Sequence, residues 1–220
     1  MALASFLSAI GQDTNEPGAL ITQLDVKGQS VGLNLGMLDY STLTTELSYK
    51  RGVSIFNKTF MIGTEIAFPV FEPDFNDMRF RVITIQTSVL RKGKFDMSLK
   101  FSPTITTTNT KTHKLVAIGE GLSIISGFYG EKWGGSFIID ADFVNATKVE
   151  HTDYYKEVVY EDVYDGWLQN PAGNLRMGLM ATRKMNNFEA SVKIGYGSSF
   201  KGSYMLFPPV FGVVGIRYVF

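Results

Sequence analysis

Cysteine is absent from this 220-residue chain, and histidine occurs only at His113 and His151. The absence of cysteine excludes disulfides, cysteine zinc centres and thiol nucleophiles. Neither sign of charge is in surplus, because 21 Lys and Arg residues balance 21 Asp and Glu residues. No global field would recruit nucleic acid or an anionic surface, so we expect no nucleic-acid partner.

Long apolar runs are also absent. A membrane-spanning helix needs about 20 consecutive apolar residues. The longest apolar run, Met205 to Ile216, is shorter and contains Pro208 and Pro209. No spanning helix is therefore predicted.

The first 17 residues differ from the rest. Met1 to Ile10 is apolar but lacks the basic residues that begin a signal peptide. Its apolar residues share one helical face, which allows a short amphipathic helix, while a terminal tail or the remnant of a signal fits equally. We divide the chain into an N-terminal segment, 1–17, and one domain, 18–220.

From Gly18 onward the dominant pattern is an alternation of apolar and polar residues, as in FDMSLKFS at 95–102. Successive side chains of a strand point to opposite faces, so each such segment predicts a strand with one apolar face. Alternation and turn residues together mark eleven candidate strands, of which the first is the weakest: 19–27, 30–38, 42–51, 57–70, 78–91, 94–105, 114–128, 133–144, 174–185, 187–197 and 209–220.

The last candidate strand ends on the final residue of the chain, and Val214, Ile216, Tyr218 and Phe220 share one of its faces. This ending resembles the terminal strand of small bacterial outer-membrane β-barrel proteins, where a final Phe after alternating apolar or aromatic residues is the insertion signal. The resemblance implies a location in the bacterial outer membrane, with the lipid bilayer and the barrel-insertion machinery as partners. A hydrophobic last strand of a soluble sheet fits the same residues.

Alternation does not reveal which face points inward. Aromatic residues near the ends of the apolar faces, and polar faces that mix glycine, serine and both charges, favour an apolar exterior and a polar lumen. Connections agree, because tight turns at 91–94, 129–134 and 185–187 alternate with longer loops at 71–77, 103–114, 145–173 and 197–209. The predicted fold is all-β, a closed antiparallel transmembrane β-barrel of about ten strands, with eight or twelve as alternatives, short periplasmic turns and longer extracellular loops.

The polar faces predict which charges enter the lumen. The set contains both signs in nearly equal number: Glu46, Lys50, Glu65, Asp96, Lys100, Asp140, Asp142, Arg176, Glu189, Lys193 and Arg217. A small barrel is filled by its own side chains, so we interpret this set as paired ions that plug the lumen. A narrow passage for water or small ions is the alternative.

The longest predicted loop is rich in aromatic residues: Tyr154, Tyr155, Tyr160, Tyr164 and Trp167. Acidic residues lie between them, which predicts a binding surface for a protein or glycan partner, or else a hairpin that rises above the bilayer. In the same loop His151 and Asp153 would share one face of an extended segment, as a base and its orienting group do.

These features predict a non-enzymatic outer-membrane barrel that presents extracellular loops for binding or anchors an envelope assembly. A narrow, porin-like channel is the alternative, and an outer-membrane hydrolase that uses a rim histidine is a more distant one. The sequence contains no phosphate-binding glycine loop, nucleophile elbow or metal-binding histidine cluster, so no cofactor or metal is expected.

Overall fold

The structure is a computed structural model that describes residues 28–37, 43–56, 58–71, 77–158, 163–169, 172–200 and 210–220. It contains eleven strands and one short helix: β1 Gln29–Met37, β2 Thr44–Ile55, β3 Lys58–Pro69, β4 Asp77–Lys92, β5 Phe95–Asn109, β6 His113–Tyr129, β7 Trp133–His151, α1 Asp153–Val158, β8 Gly166–Leu168, β9 Ala172–Met185, β10 Phe188–Phe200 and β11 Val210–Val219. Among the described residues, no helix is long and apolar enough to cross a membrane. The segment 1–17, the candidate strand 19–27 and Tyr160 lie outside the described residues.

Ten of the strands form one closed antiparallel barrel. Each barrel strand pairs with the next along the chain, β7 pairs with β9, and β11 pairs with β1. At the closing seam the amide of Phe220 donates to the carbonyl oxygen of Gln29 at 3.0 Å. Closure pairs the backbone groups that the edge strands of an open sheet would expose, since each barrel strand has a neighbour on both sides. The predicted fold of about ten strands is confirmed.

The two ends of the barrel differ. One end, which we call the turn end, carries Gln29, Phe220 and the tight connections β2–β3, β4–β5, β6–β7 and β9–β10. Two of these turns contain Gly93 and Asn186 at φ values of 57° and 54°, a left-handed region that Gly and Asn adopt most readily. The opposite end, the loop end, carries the remaining connections, which are longer as predicted except for the three-residue connection between β5 and β6.

The polarity of the barrel is inverted relative to a soluble protein. Outward-facing Val192 and Ile216 are 51% and 46% exposed, whereas inward-facing Glu65 and Glu189 are each 3% exposed. Many large apolar side chains of the wall share this outward exposure, and the most buried side chains include carboxylates and hydroxyls. The apolar face of each strand therefore points out of the barrel and the polar face into it.

β5 and β7 extend well past the ends that the sequence pattern predicted. β5 continues to Asn109 and β7 to His151, so much of the predicted loops 103–114 and 145–173 is strand. The connection between β5 and β6 shrinks to residues 110–112. β5, β6 and β7 have 15, 17 and 19 residues, against 9 in β1. The barrel wall is consequently much taller on this side, and β8 pairs with the top of β7.

β4 is interrupted by a bulge at Val82 and Ile83, where the sequence alternation slips. Gly63 pairs with Thr84 and Glu65 with Arg81, so two residues of β4 oppose one residue of β3. Both Val82 and Ile83 are exposed, while Thr84 is buried. A bulge of this kind reverses the facing of the residues on one side of it relative to those on the other.

Candidate functional site

The structure places all eleven charges of the predicted lumen set on the inward face. All of them are buried or half-buried, and Arg176, Asp96 and Glu46 are each less than one-tenth exposed. Their placement follows from alternation, because each occupies the polar position of its strand. The contacts among them divide into one large cluster and several isolated pairs.

Arg81 is the centre of the large cluster, and it was missed by the sequence analysis. Its guanidinium donates to Glu65 at 2.9 Å, to Glu46 at 3.5 Å and to Asp142 at 3.5 Å. Those three carboxylates belong to β3, β2 and β7. The fork of an arginine side chain can serve several carboxylates at once, which a lysine ammonium does less well.

The bulge explains why Arg81 faces inward. Thr84 and Gln86 face the lumen, so uninterrupted alternation would have directed Arg79 and Arg81 to the apolar outer surface. The extra residue at Val82 and Ile83 turns both arginines inward, where Arg79 lies 3.5 Å from Glu46. The slip in alternation was visible in the sequence, but its consequence for the two arginines was not drawn.

Glu65 is the most densely paired carboxylate of the cluster. Besides Arg81, it accepts hydrogen bonds from Lys100 at 2.6 and 2.8 Å and lies 3.2 Å from the Lys50 ammonium. Three cations therefore surround one carboxylate that is almost fully shielded from solvent. A buried carboxylate needs such partners, because removal from water disfavours its charged form.

Asp142 extends the cluster to the other wall of the barrel. It accepts a hydrogen bond from Arg176 of β9 in addition to its contact with Arg81. The cluster thus links six strands, namely β2, β3, β4, β5, β7 and β9. Because Arg81 of β4 contacts Asp142 of β7, the cluster crosses the lumen between strands that do not pair with each other.

Three further pairs lie outside this cluster. Lys193 donates to Asp140 at 2.5 Å and Arg217 donates to Glu189 at 3.4 Å. Asp96 accepts a hydrogen bond from Ser88 and lies 3.6 Å from Arg91. Each pair joins two strands, so contacts outside the large cluster also cross-link the barrel wall.

The lumen contains a cavity of about 180 Å³. Every one of the ten barrel strands contributes to its lining. Its charged lining comprises seven cations and three anions: Lys50, Arg79, Arg81, Lys100, Arg176, Lys193 and Arg217, with Glu46, Glu65 and Asp140. The cavity is therefore formally positive, although the chain as a whole is neutral.

The tall side of the barrel holds the second cluster. His151 Nδ1 lies 2.8 Å from Asp165 Oδ1, and the His151 amide donates to the same oxygen at 2.8 Å. Lys156 Nζ approaches the other oxygen of Asp165 at 2.6 Å. The pairing of His151 with Asp153 predicted from spacing is wrong, because the chain turns into α1 after Thr152 and carries Asp153 away. Asp165, 14 residues further along, takes its place.

Electrostatics reinforce this contact. The hydrogen bond from Lys156, with those from His151, holds the pKa of Asp165 well below its usual range. The hydrogen bond to Asp165 in turn raises the pKa of Lys156. The cluster joins α1 to the residue that precedes β8.

The aromatic residues of the same region are divided between two roles. Tyr154, Tyr164 and Trp167 are 59%, 67% and 49% exposed. Tyr155 is partly buried and stacks on the His151 ring with centroids 5.0 Å apart. Tyr155 thus supports the fold around α1. The other three described aromatics present an accessible surface.

The final strand has the predicted outward face. Val214, Ile216, Tyr218 and Phe220 are all more than one-third exposed. Tyr218 contacts both Phe188 and Phe220, with ring centroids 4.9 and 6.0 Å apart. An aromatic cluster therefore occupies the outer surface at the turn end. Within the described ranges, no group of three or more His, Cys, Asp or Glu side chains could hold a metal ion.

No protein-family model and no curated protein sequence matches the chain. Among solved structures, it is similar to the KdgM porin, with a TM-score of 0.44 and 11% identity over 87% of this chain and 99% of that chain. It is also similar to the beta domain of the Bordetella autotransporter BrkA, with a TM-score of 0.39 and 12% identity over 87% of this chain and 97% of that chain. The NanC porin matches with a TM-score of 0.32 and 8% identity over 86% of this chain and 98% of that chain. Because these TM-scores are low, the fold assignment rests on the strand pairing of the chain itself.

Proposed function

We propose that the protein is an integral, non-enzymatic barrel of the bacterial outer membrane. The observation that carries this proposal is the inverted polarity of the closed barrel, since exposed Val192 and Ile216 need a hydrocarbon environment while buried Glu65 does not. The test is expression followed by membrane fractionation and gel electrophoresis with and without heating. A heat-modifiable band in the outer-membrane fraction is expected, and a monodisperse protein in detergent-free buffer would refute the proposal.

The turn end would face the periplasm, with the terminal strand as the signal for the insertion machinery. In support, Tyr218 and Phe220 form part of an exposed aromatic cluster beside the closing seam. The loop end, with its tall wall, would then be extracellular. Replacing Phe220 with alanine should slow assembly in cells more than it alters the folded barrel.

The working surface of the protein would be the extracellular extension formed by the top of β5, β6 and β7 with α1 and β8. Tyr154, Tyr164 and Trp167 supply rigid aromatic contact area there, and the cluster around Asp165 holds the surface in shape. A protein or glycan partner, or anchoring of an envelope assembly, would use this surface. The combined replacement Tyr164→Ala and Trp167→Ala should abolish partner capture while leaving the barrel folded.

A narrow channel is the second candidate function, because the lumen retains a cavity to which all ten strands contribute. Single-channel recording in planar bilayers separates the two candidates. A lumen closed by the Arg81 cluster gives no conductance steps. Reproducible steps that change in size when Lys100 or Asp140 is neutralised would favour the channel instead.

The hydrolase alternative has less support. His151 is bound to Asp165 and stacked on Tyr155, so its ring serves a structural contact. Loss of a measured hydrolysis on replacement of His151 with alanine would revive it.

A further inference from the structure

The outer surface of β7, β9 and β10 contains an apolar groove of about 500 Å³. Two rows of paired outward residues form it: Gly135, Ala181 and Val192 in one row, and Phe137, Leu179 and Ile194 in the next. Small residues in the first row leave a depression beside the larger side chains. A Cβ atom added at Gly135 would meet nothing within 4 Å, so the depression is open.

A cation lies next to the groove on the side of the turn end. Arg183 is two residues from Ala181 along β9, about 7 Å away, and pairs with Trp133 of β7. Its guanidinium lies 4.8 Å from the centroid of the Trp133 ring. Within the described part of the chain, Arg183 forms no salt bridge. An outward cation and an indole therefore lie where the uncharged groove ends.

The turn end around the groove, which we call the rim, is also positively charged. Arg51, Lys92, Lys94 and Lys132 are all exposed at the turn end, and Lys132 immediately precedes Trp133. Against these, the described residues of the tight turns supply one carboxylate side chain, that of Glu131. The rim would attract negatively charged headgroups.

We propose that Arg183, Trp133 and the groove bind one anionic phospholipid of the periplasmic leaflet. The guanidinium would pair with the lipid phosphate through two hydrogen bonds, and an acyl chain would fill the depression beside Gly135 and Ala181. An amphiphilic anion matches both features, because the site combines a single charged end with an uncharged groove. This inference rests on the membrane location proposed above.

The test uses the full-length protein inserted into bilayers of phosphatidylcholine that contain a minor fraction of phosphatidylglycerol. After extraction, native mass spectrometry counts the lipids that remain bound. One phosphatidylglycerol per barrel is expected. Arg183→Gln and Gly135→Leu should each reduce its retention about tenfold, the loss expected for one charge-assisted contact or one filled groove. Arg51→Gln, an outward arginine of the same rim, is the matched control and should retain the lipid.

Equal loss in all three variants would show diffuse attraction to the rim and overturn the inference. Unchanged retention in Gly135→Leu would overturn it too, because the groove would then take no part. Displacement of the lipid by soluble glycerol phosphate would indicate a site for the phosphate alone, and a barrel dimer lost in Gly135→Leu would assign the groove to a second copy. A chain that fails to enter phosphatidylcholine bilayers refutes the membrane location as well, whereas one that inserts and retains no lipid refutes only this inference.

Discussion

Replacement of Arg81 with glutamine tests the lumen cluster most directly. The change leaves three carboxylates without their shared partner, and breaking a buried ion pair typically costs about 3 to 5 kcal/mol. Glu65 keeps Lys50 and Lys100, however, and Glu46 keeps Arg79. We therefore expect the free energy of unfolding to fall by about 2 to 3 kcal/mol, with Asp142 contributing through its weakened link to β4.

The measurement is urea unfolding in lipid vesicles, followed by tryptophan fluorescence. Arg51→Gln is the control, because that arginine is exposed on the outer rim, and its effect should stay within about 0.5 kcal/mol. Arg81→Lys should lie between the two, since an ammonium does not fork to several carboxylates. If Arg81→Gln is no more destabilised than Arg51→Gln, the cluster does not hold the six strands together.

A deletion tests the bulge, and a change of pH tests the contacts of Asp165 at the loop end. Deletion of Val82 should direct Arg79 and Arg81 to the lipid face and prevent folding in vesicles, whereas Val82→Ala keeps the register and should fold; a stable deletion variant would contradict the role of the bulge. The pKa of Asp165 is depressed, so its contacts are fully present above the ordinary aspartate pKa, about 3.9, and are lost only as the pH falls through the lower folded value. Proteolysis of the α1 segment should therefore stay slow from about pH 5 to 9 and accelerate only in strong acid, and acceleration already at about pH 5 would show that the contacts of Asp165 do not hold the segment.

The strands and their facing could be predicted from sequence because the backbone itself imposes a period of two. Phe95 and Leu99 face outward and Asp96 and Lys100 inward as their positions indicate. The same rule fails near the loop end, where Thr106 to Thr110 is polar on both faces and Leu115 to Ile118 is apolar on both. Strand pairing there depends on the neighbouring strands, which the local sequence does not reveal.

The two centres of charge were predictable to different degrees. Glu65 and Lys100 follow from alternation, whereas the inward facing of Arg81 requires the bulge to be counted. The contact between His151 and Asp165 joins residues 14 positions apart across a turn that contains α1. No local spacing indicates such a partner, and Asp153 was the nearer but wrong choice.

The bulge also changes the expected ion preference of any conduction. Without Arg79 and Arg81 the cavity lining would hold five cations and three anions, whereas it holds seven cations and three anions. If the lumen conducts, a salt gradient across a planar bilayer should give a reversal potential of the sign for anions, because charged rings set the selectivity of narrow pores. Arg81→Gln should weaken that preference, and Arg51→Gln on the outer rim should not. A cation preference in the wild type would mean that ions avoid this cavity and that the arginines serve only to cross-link the wall.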